Sequence, residues 1–163
     1  MLRNIGWLSL AFLLTLALAS FTLEPSFDEN VTIVLEFLGS FHPLILHLPI
    51  GLWFGVLCLL AVRVWFKDPL LLKVAYWATL LTLYTGFGAF GAGFMLYLAG
   101  GYSVEVLAPH MYGSLAFLVG VAVQAKFLKG NQVNIGAYLV ATITSALLGY
   151  AGHIGGVITH GEP

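Results

Sequence analysis

Long apolar runs with very few charges are the feature that most constrains this chain. Of its 163 residues, 60% are hydrophobic and 8% are charged, whereas an ordinary soluble domain carries about 25% charged residues. Five of the apolar runs are long enough to cross a bilayer as a helix, and short polar turns separate them. The sequence therefore predicts an all-α integral membrane protein with five transmembrane helices, the last four forming an antiparallel bundle.

The predicted spans divide the chain into three parts. Residues 1–23 are interpreted as an N-terminal transmembrane helix that serves as an uncleaved signal anchor; a cleavable signal peptide is the alternative, because a short basic start and a leucine-rich middle are also typical of one. Residues 24–41 are predicted to form an extracytoplasmic loop with a short interfacial helix capped by Asp28. Residues 42–161 are predicted to form a four-helix membrane domain. Its spans cover about residues 42–66, 70–99, 110–125 and 133–159, with an outer loop at 100–109.

The basic residues set the predicted orientation. In a five-span arrangement every lysine and arginine falls on one side: Arg3, Arg63, Lys67, Lys73, Lys126 and Lys129. The positive-inside rule places that side in the cytoplasm. We therefore expect a protein of the bacterial cytoplasmic membrane, with its N-terminus in the cytoplasm and its C-terminus outside.

Composition and motifs argue against several classes of function. A net charge of −1 argues against nucleic acid as a partner. The single cysteine, Cys58, rules out an internal disulfide and a CxxCH haem-attachment site. The sequence contains no glycine-rich phosphate loop, zinc-type cysteine pattern or nucleophile elbow. These features argue against a soluble-type enzyme.

Histidines supply most of the chemistry that the apolar spans contain. In the five-span arrangement all five fall at the outward end: His42, His47, His110, His153 and His160. Neutral imidazole binds haem iron and transition metals, and histidines on facing helices of a bundle commonly hold a cofactor. A single histidine at a helix end is more often a cap or an interfacial hydrogen-bonding group, so it is their number at one end that favours a cofactor, haem b, over these structural roles.

Depth along the spans predicts which histidines would ligate the iron. His47 and His110 each lie 16 residues before a basic residue of an inner turn, which places both roughly 24 Å above that turn. We therefore predict His47 and His110 as the axial ligands of the haem iron. His42 is five residues before His47 and points about 140° away on a regular helix. It is assigned to a second site or to the outer rim, with His153 or His160.

Three motifs resemble those of an uncharacterised bacterial family of membrane proteins with a four-helix domain. The family signature begins HPxxxHxPI and closes with GG followed by HG. This chain has His42-Pro43-x-x-x-His47-x-Pro49-Ile50, then His110 opening a later span, then Gly155-Gly156-Val157-Ile158-Thr159-His160-Gly161. The resemblance covers about residues 41–161. It implies that the family histidines are His42, His47, His110 and His160.

The same resemblance implies a redox setting, because similar domains are often fused to c-type cytochrome domains. This chain carries no such domain, so we expect a separate c-type cytochrome, or another redox membrane subunit, as its partner. Three functions stay open at this point. The first is a haem b protein that passes electrons between quinol or a membrane partner and an extracytoplasmic carrier. The second is a copper- or zinc-binding membrane protein, and the third is a cofactor-free assembly subunit of a membrane complex.

Reporter fusions or cysteine labelling test the predicted topology. We expect residues 24–41, residues 100–109 and the C-terminus outside, and residues 63–73 and 126–131 inside, because positively charged turns are retained in the cytoplasm. A C-terminus found in the cytoplasm would contradict the five-span arrangement and, with it, the outward position of the histidines.

Overall fold

The computed structural model describes residues 27–100, 102–130 and 134–160, and in these ranges the chain is helical without a β-strand. The all-α prediction is confirmed. The helices are α1 (Glu29–Gly39), α2 (His42–Trp65), α3 (Pro69–Leu98), α4 (Val104–Leu128) and α5 (Ile135–His160). Four stretches are long and apolar enough to cross a membrane: α1 together with α2, then α3, α4 and α5. The predicted span at residues 1–23 lies outside the described residues, so the count of five stays a prediction.

The first helix begins as the sequence predicts, at a capping aspartate. Asp28 accepts hydrogen bonds from the backbone N–H groups of Asn30 and Val31, at 2.8 and 3.1 Å, which satisfies two of the donors that a helix start leaves unpaired. Only Ser40 and Phe41 separate α1 from α2, and both have helical dihedral angles. Helices α1 and α2 therefore form an almost continuous helical segment, which joins the predicted loop to the second predicted span.

The fourth span is longer than the sequence predicts. Helix α4 begins at Val104, so most of the predicted 100–109 loop is helical. Ser103 takes the extended N-cap conformation and its carbonyl accepts the N–H of Leu107, whose side chain is buried. Pro109 lies inside the helix, where its lack of an N–H removes one backbone hydrogen bond. Pro109 therefore does not mark the start of this helix.

Sequential antiparallel packing builds the bundle. Helix α2 packs against α3, α3 against α4 and α4 against α5, while α1 lies against α3. Trp53 of α2 joins the two halves at the centre, where it is fully buried. Its ring meets that of Phe117 in α4 edge-on, with centroids 5.8 Å apart, and its indole N–H donates to Ser145 of α5 at 3.1 Å. A single side chain thus contacts both helices of the opposite pair.

The helices form two hairpins with the same pattern of burial: the first hairpin is α2 with α3, and the second hairpin is α4 with α5. All four buried residues of α2 recur 68 positions later in α4, also buried: Pro49 with Phe117, Trp53 with Val121, Val56 with Gln124 and Leu60 with Leu128. All four buried residues of α5 have buried counterparts 62 positions earlier in α3: Ala75 with Ala137, Thr79 with Ala141, Thr82 with Thr144 and Ala89 with Ala151. The second hairpin therefore repeats the architecture of the first.

Glycine allows α1 to approach α3 closely. A Cβ added to Gly39 would lie 2.7 Å from the Cγ and 2.8 Å from the backbone nitrogen of Leu96. A side chain can move to relieve such a contact, but a nitrogen within helix α3 cannot. Gly51 of α2 differs, because an added Cβ there meets no heavy atom of the described residues within 4 Å.

Alanine substitution at these two glycines should therefore have opposite effects. Alanine is favoured over glycine in a helix by up to about 1 kcal/mol, whereas overpacking costs about 1–3 kcal/mol. We expect Gly39→Ala to loosen α1 from α3 and to speed hydrogen exchange over residues 29–39. The matched control, Gly51→Ala, should leave exchange unchanged or slower. Equal exchange in both variants would show that the Gly39 contact does not hold α1.

Candidate functional site

Two histidines from different hairpins meet at one end of the bundle. His42 is the first residue of α2 and His110 lies in the second turn of α4. Their ring centroids are 6.3 Å apart and their planes are nearly perpendicular, at 89°. Both side chains are half-buried. We call this the histidine end, defined by His42 and His110, and the opposite end, which carries Arg63, Lys67, Lys73, Lys126 and Lys129, the basic end.

A hydrogen bond to the neighbouring helix fixes the His42 ring. Its Nδ1 lies 2.8 Å from the carbonyl oxygen of Ala89 in α3. Because a carbonyl oxygen can only accept, Nδ1 carries the proton and donates. In the neutral ring the lone pair then resides on Nε2, the atom that a metal ion would bind.

Glycine opens the path between the ring and that carbonyl. A helical carbonyl points along the axis towards the residue four positions later, so the side chain there would cover it. Four positions after Ala89 stands Gly93. A Cβ added to Gly93 would lie 3.0 Å from both Cε1 and Nδ1 of His42. The ring thus occupies the space that any larger residue would fill.

His110 repeats the arrangement in the second hairpin. Its Nδ1 lies 2.8 Å from the carbonyl oxygen of Ala151 in α5. A Cβ added to Gly155, again four positions after the acceptor, would lie 2.9 Å from Cε1 of His110. Each hairpin thus contributes one histidine, one backbone acceptor and one glycine at equivalent positions.

The distance between the two ring centres equals that expected for two imidazoles on opposite sides of one metal ion. Histidines that bind metals usually donate their other ring N–H to a carboxylate or a carbonyl, which fixes the tautomer and raises the basicity of the ligating nitrogen. A metal–nitrogen bond of about 2.0–2.1 Å, together with roughly 1.1 Å from ring centre to nitrogen, separates two opposed imidazole centroids by about 6.3 Å. The observed distance between the His42 and His110 centroids is 6.3 Å.

The other three histidines lie on the outside of the bundle. His47, His153 and His160 are exposed. The Nδ1 of His47 makes a hydrogen bond to the carbonyl of Pro43 in its own helix, and the ring lies on the face opposite to Trp53 and Val56. The structure therefore brings His42, rather than His47, to His110. Ligation by His47, His153 or His160 stays a prediction of the sequence.

The depth estimate favoured His47, but it was measured from Arg63 and Lys126, which do not occupy equivalent positions in the two hairpins. At the spacing of 68, Lys126 corresponds to Cys58, which lies five residues before Arg63. Long basic side chains reach the membrane surface from more than one depth, so they locate a span only to within about a turn. The two inward histidines share one sequence feature, an alanine followed four residues later by a glycine in the next helix. These residues are Ala89 and Gly93 for His42, and Ala151 and Gly155 for His110.

A groove elsewhere on the surface does not contribute to this pair. It has a volume of about 370 Å³ and is lined by Leu52 of α2 and by residues of α3 between Leu70 and Leu81. Lys73, at its wall, belongs to the basic end. The histidine pair therefore stands apart from this groove.

Comparison of the chain with protein-family models, with curated proteins and with solved structures finds no match. The resemblance carried by the histidine motifs accordingly stays a prediction.

Nitrogen NMR of histidine-labelled protein, free of added metal and haem, tests the tautomers. We expect neutral His42 and His110 to carry the proton on Nδ1, because each Nδ1 must donate to a carbonyl oxygen. The exposed ring of His153 provides the internal comparison, with the Nε2–H form that free imidazole side chains prefer. A protonated Nε2 on neutral His42 or His110 would contradict the hydrogen bonds and remove both rings from consideration as ready ligands.

Proposed function

We propose that this protein is a membrane electron-transfer protein, or a subunit of a redox complex, that holds haem b through His42 and His110. The observation that carries the proposal is the approach of the two rings, each held through Nδ1 by the backbone of its own hairpin. This assignment replaces His47 by His42 as the partner of His110, because His47 lies on the outer face of α2.

The number of protein ligands favours haem over a bare metal ion. A haem iron needs only axial ligands from the protein, since the porphyrin supplies the other four nitrogens. A structural zinc site takes four protein ligands and a catalytic one takes three. Among the residues that the structure describes, no group of three or more histidine, cysteine, aspartate or glutamate side chains could hold a metal ion. Two histidines therefore support haem better than zinc.

The protein's own part in the chemistry is to hold and tune the ligands. Bound haem would supply reversible one-electron transfer. The carbonyls of Ala89 and Ala151 orient the two rings and raise the basicity of each Nε2. Because the pair lies at the end of the bundle, a carrier at that membrane surface could exchange electrons with it directly. In the predicted orientation this is the extracytoplasmic surface, and a separate c-type cytochrome or quinol is the proposed partner.

A cofactor-free role is the second candidate, and the same hydrogen bonds favour it. His42 joins α2 to α3 and His110 joins α4 to α5. In an apolar bundle such interhelical bonds stabilise packing on their own. On this interpretation the protein is a structural or assembly subunit of a membrane complex, and each ring serves as a brace within its hairpin.

Absorption spectra of purified protein, expressed with ample haem, distinguish these candidates. We expect a low-spin haem spectrum that His42→Ala and His110→Ala each abolish, because each removes one axial ligand. His47→Ala is the matched control on the same helix and should keep the spectrum. A colourless wild-type protein would favour the cofactor-free subunit. Loss of haem in His47→Ala, but not in His42→Ala, would restore the ligand pair that the sequence predicts.

A pair of glycine variants refines the same test without touching a ligand. Gly93→Ala would press on the His42 ring, whereas a Cβ at Gly91 meets no heavy atom within 4 Å among the described residues. We expect Gly93→Ala to weaken or shift the haem spectrum and Gly91→Ala to leave it unchanged. An unchanged spectrum in both would show that the fixed ring position does not matter for haem binding.

A further inference from the structure

Among the described residues, four uncharged polar side chains are buried between the helices in the half of the bundle nearer the basic end. Thr79, Thr82, Gln124 and Thr144 are each no more than 1% exposed. The hydroxyls of Thr79 and Thr82 donate to carbonyls four residues earlier in α3, those of Ala75 and Ala78, at 2.7 and 2.9 Å. Gln124 and Thr144 differ: neither the two amide atoms nor the Thr144 hydroxyl has a hydrogen-bond partner within the described part of the chain.

Thr144 departs from the behaviour of the other helical threonines. A threonine inside a helix can satisfy its own hydroxyl by bonding to a carbonyl one turn earlier. Thr79, Thr82 and Thr142 all do so, as does Ser145, the residue next to Thr144. Thr144 has the same option in α5 but its hydroxyl is directed elsewhere, and a buried polar group without a partner is costly.

The Thr144 hydroxyl is directed at α4, beside Gln124. A Cβ added to Gly120 would collide with Oγ1 of Thr144, so the hydroxyl occupies the space left by that glycine. Gln124 stands four residues beyond Gly120, on the same face of α4. Helical side chains lean towards the N-terminus of their helix, which directs the Gln124 amide back towards the level of Gly120. The Thr144 hydroxyl, which lies against Gly120, and the Gln124 amide are therefore within about one helical turn of each other along α4.

The first hairpin shows that the packing does not require these polar groups. At the spacing of 68, Leu52 stands where the second hairpin has Gly120, and Val56 stands where it has Gln124. Val56 is fully buried, as Gln124 is. Thr82, the counterpart of Thr144, bonds to its own helix. At these two positions the second hairpin departs from the first: Gly120 leaves space that the Thr144 hydroxyl occupies, and Gln124 adds hydrogen-bonding groups where the first hairpin has a valine.

We propose that Gln124 and Thr144 bind an internal water molecule between α4 and α5. The Gln124 oxygen accepts, its nitrogen donates, and the Thr144 hydroxyl can do either. A buried water typically makes about three hydrogen bonds to groups that would otherwise be unsatisfied, and these three atoms supply that number. None of them is charged, which suits water better than a cation that prefers carboxylates.

This site is separate from the proposed haem site. Gln124 lies 14 residues after His110 on α4, a distance of about 21 Å along the helix. The water would join α4 to α5 in the half of the bundle nearer the basic end. Its presence therefore does not depend on whether the histidines hold a cofactor.

Selective labelling gives a clean test, because the chain has two glutamines, Gln124 and Gln132. Protein labelled with nitrogen-15 in the glutamine side chains, in deuterated detergent, should show two side-chain NH₂ groups. Gln124→Val, which copies the first hairpin, identifies the Gln124 signal by its loss. We expect the Gln124 protons to show cross-relaxation with the water resonance, of the sign that a long-lived internal water gives.

Two threonine variants decide whether the water is shared. Thr144→Val should remove or strongly reduce the cross-peak between Gln124 and water, because one of the three hydrogen-bonding groups is lost. Thr142→Val is the matched control, since Thr142 is exposed and bonds to its own helix. Wild-type protein without a cross-peak between Gln124 and water would overturn the proposal. A cross-peak that survives Thr144→Val unchanged would also overturn it, because the water would then not be shared.

Discussion

Close contact between helices, made possible by small side chains, is the constraint on which the rest of this structure depends. In a bilayer, lipid tails are as apolar as the helix surfaces, so helices associate through tight packing and interhelical hydrogen bonds. The packed faces of α3 and α5 meet this need with alanines and threonines at matching positions. The large buried side chains at the centre belong to the other two helices: Trp53 and Val56 of α2, and Phe117 and Val121 of α4. At these positions each hairpin therefore combines small side chains on one helix with large side chains on the other.

The short distance within each hairpin is also what lets a side chain use the backbone of the next helix. Inside a helix the carbonyl of Ala89 already accepts one hydrogen bond, but it has a second lone pair. An imidazole can reach that lone pair only where no side chain covers it, and Gly93 provides the opening. The same holds for Ala151 and Gly155. Each glycine therefore positions a histidine of a neighbouring helix: Gly93 positions His42, and Gly155 positions His110.

Much of the fold could be predicted from the apolar runs, and the part that could not has identifiable causes. The predicted bounds of α2, α3 and α5 lie within two residues of those observed. The start of α4 was missed because Pro109, which the prediction placed in a loop, lies inside the helix. The angle between His42 and His47 correctly implied that only one of them faces inward. The sequence does not show which of the two histidines faces inward, because α2 is apolar on every side. Its buried face, from Pro49 to Leu60, therefore cannot be recognised by its hydrophobicity.

The repeat makes a stronger case for the His42–His110 pair than either distance or exposure does alone. Because the hairpins have equivalent burial, a residue at the same position in both is placed by the shared architecture, and His42 meets its counterpart His110 where the hairpins face each other. Histidine occupies such a position in each, with the same backbone acceptor and the same glycine. His47 has Leu115 as its counterpart, so a site built on His47 would need ligands from unrelated positions. Towards the basic end the hairpins instead diverge, with Leu52 and Val56 opposite Gly120 and Gln124. The two halves are thus alike at the histidine end, where His42 and His110 meet, and differ towards the basic end, where only the second hairpin buries uncharged polar groups without a hydrogen-bond partner among the described residues.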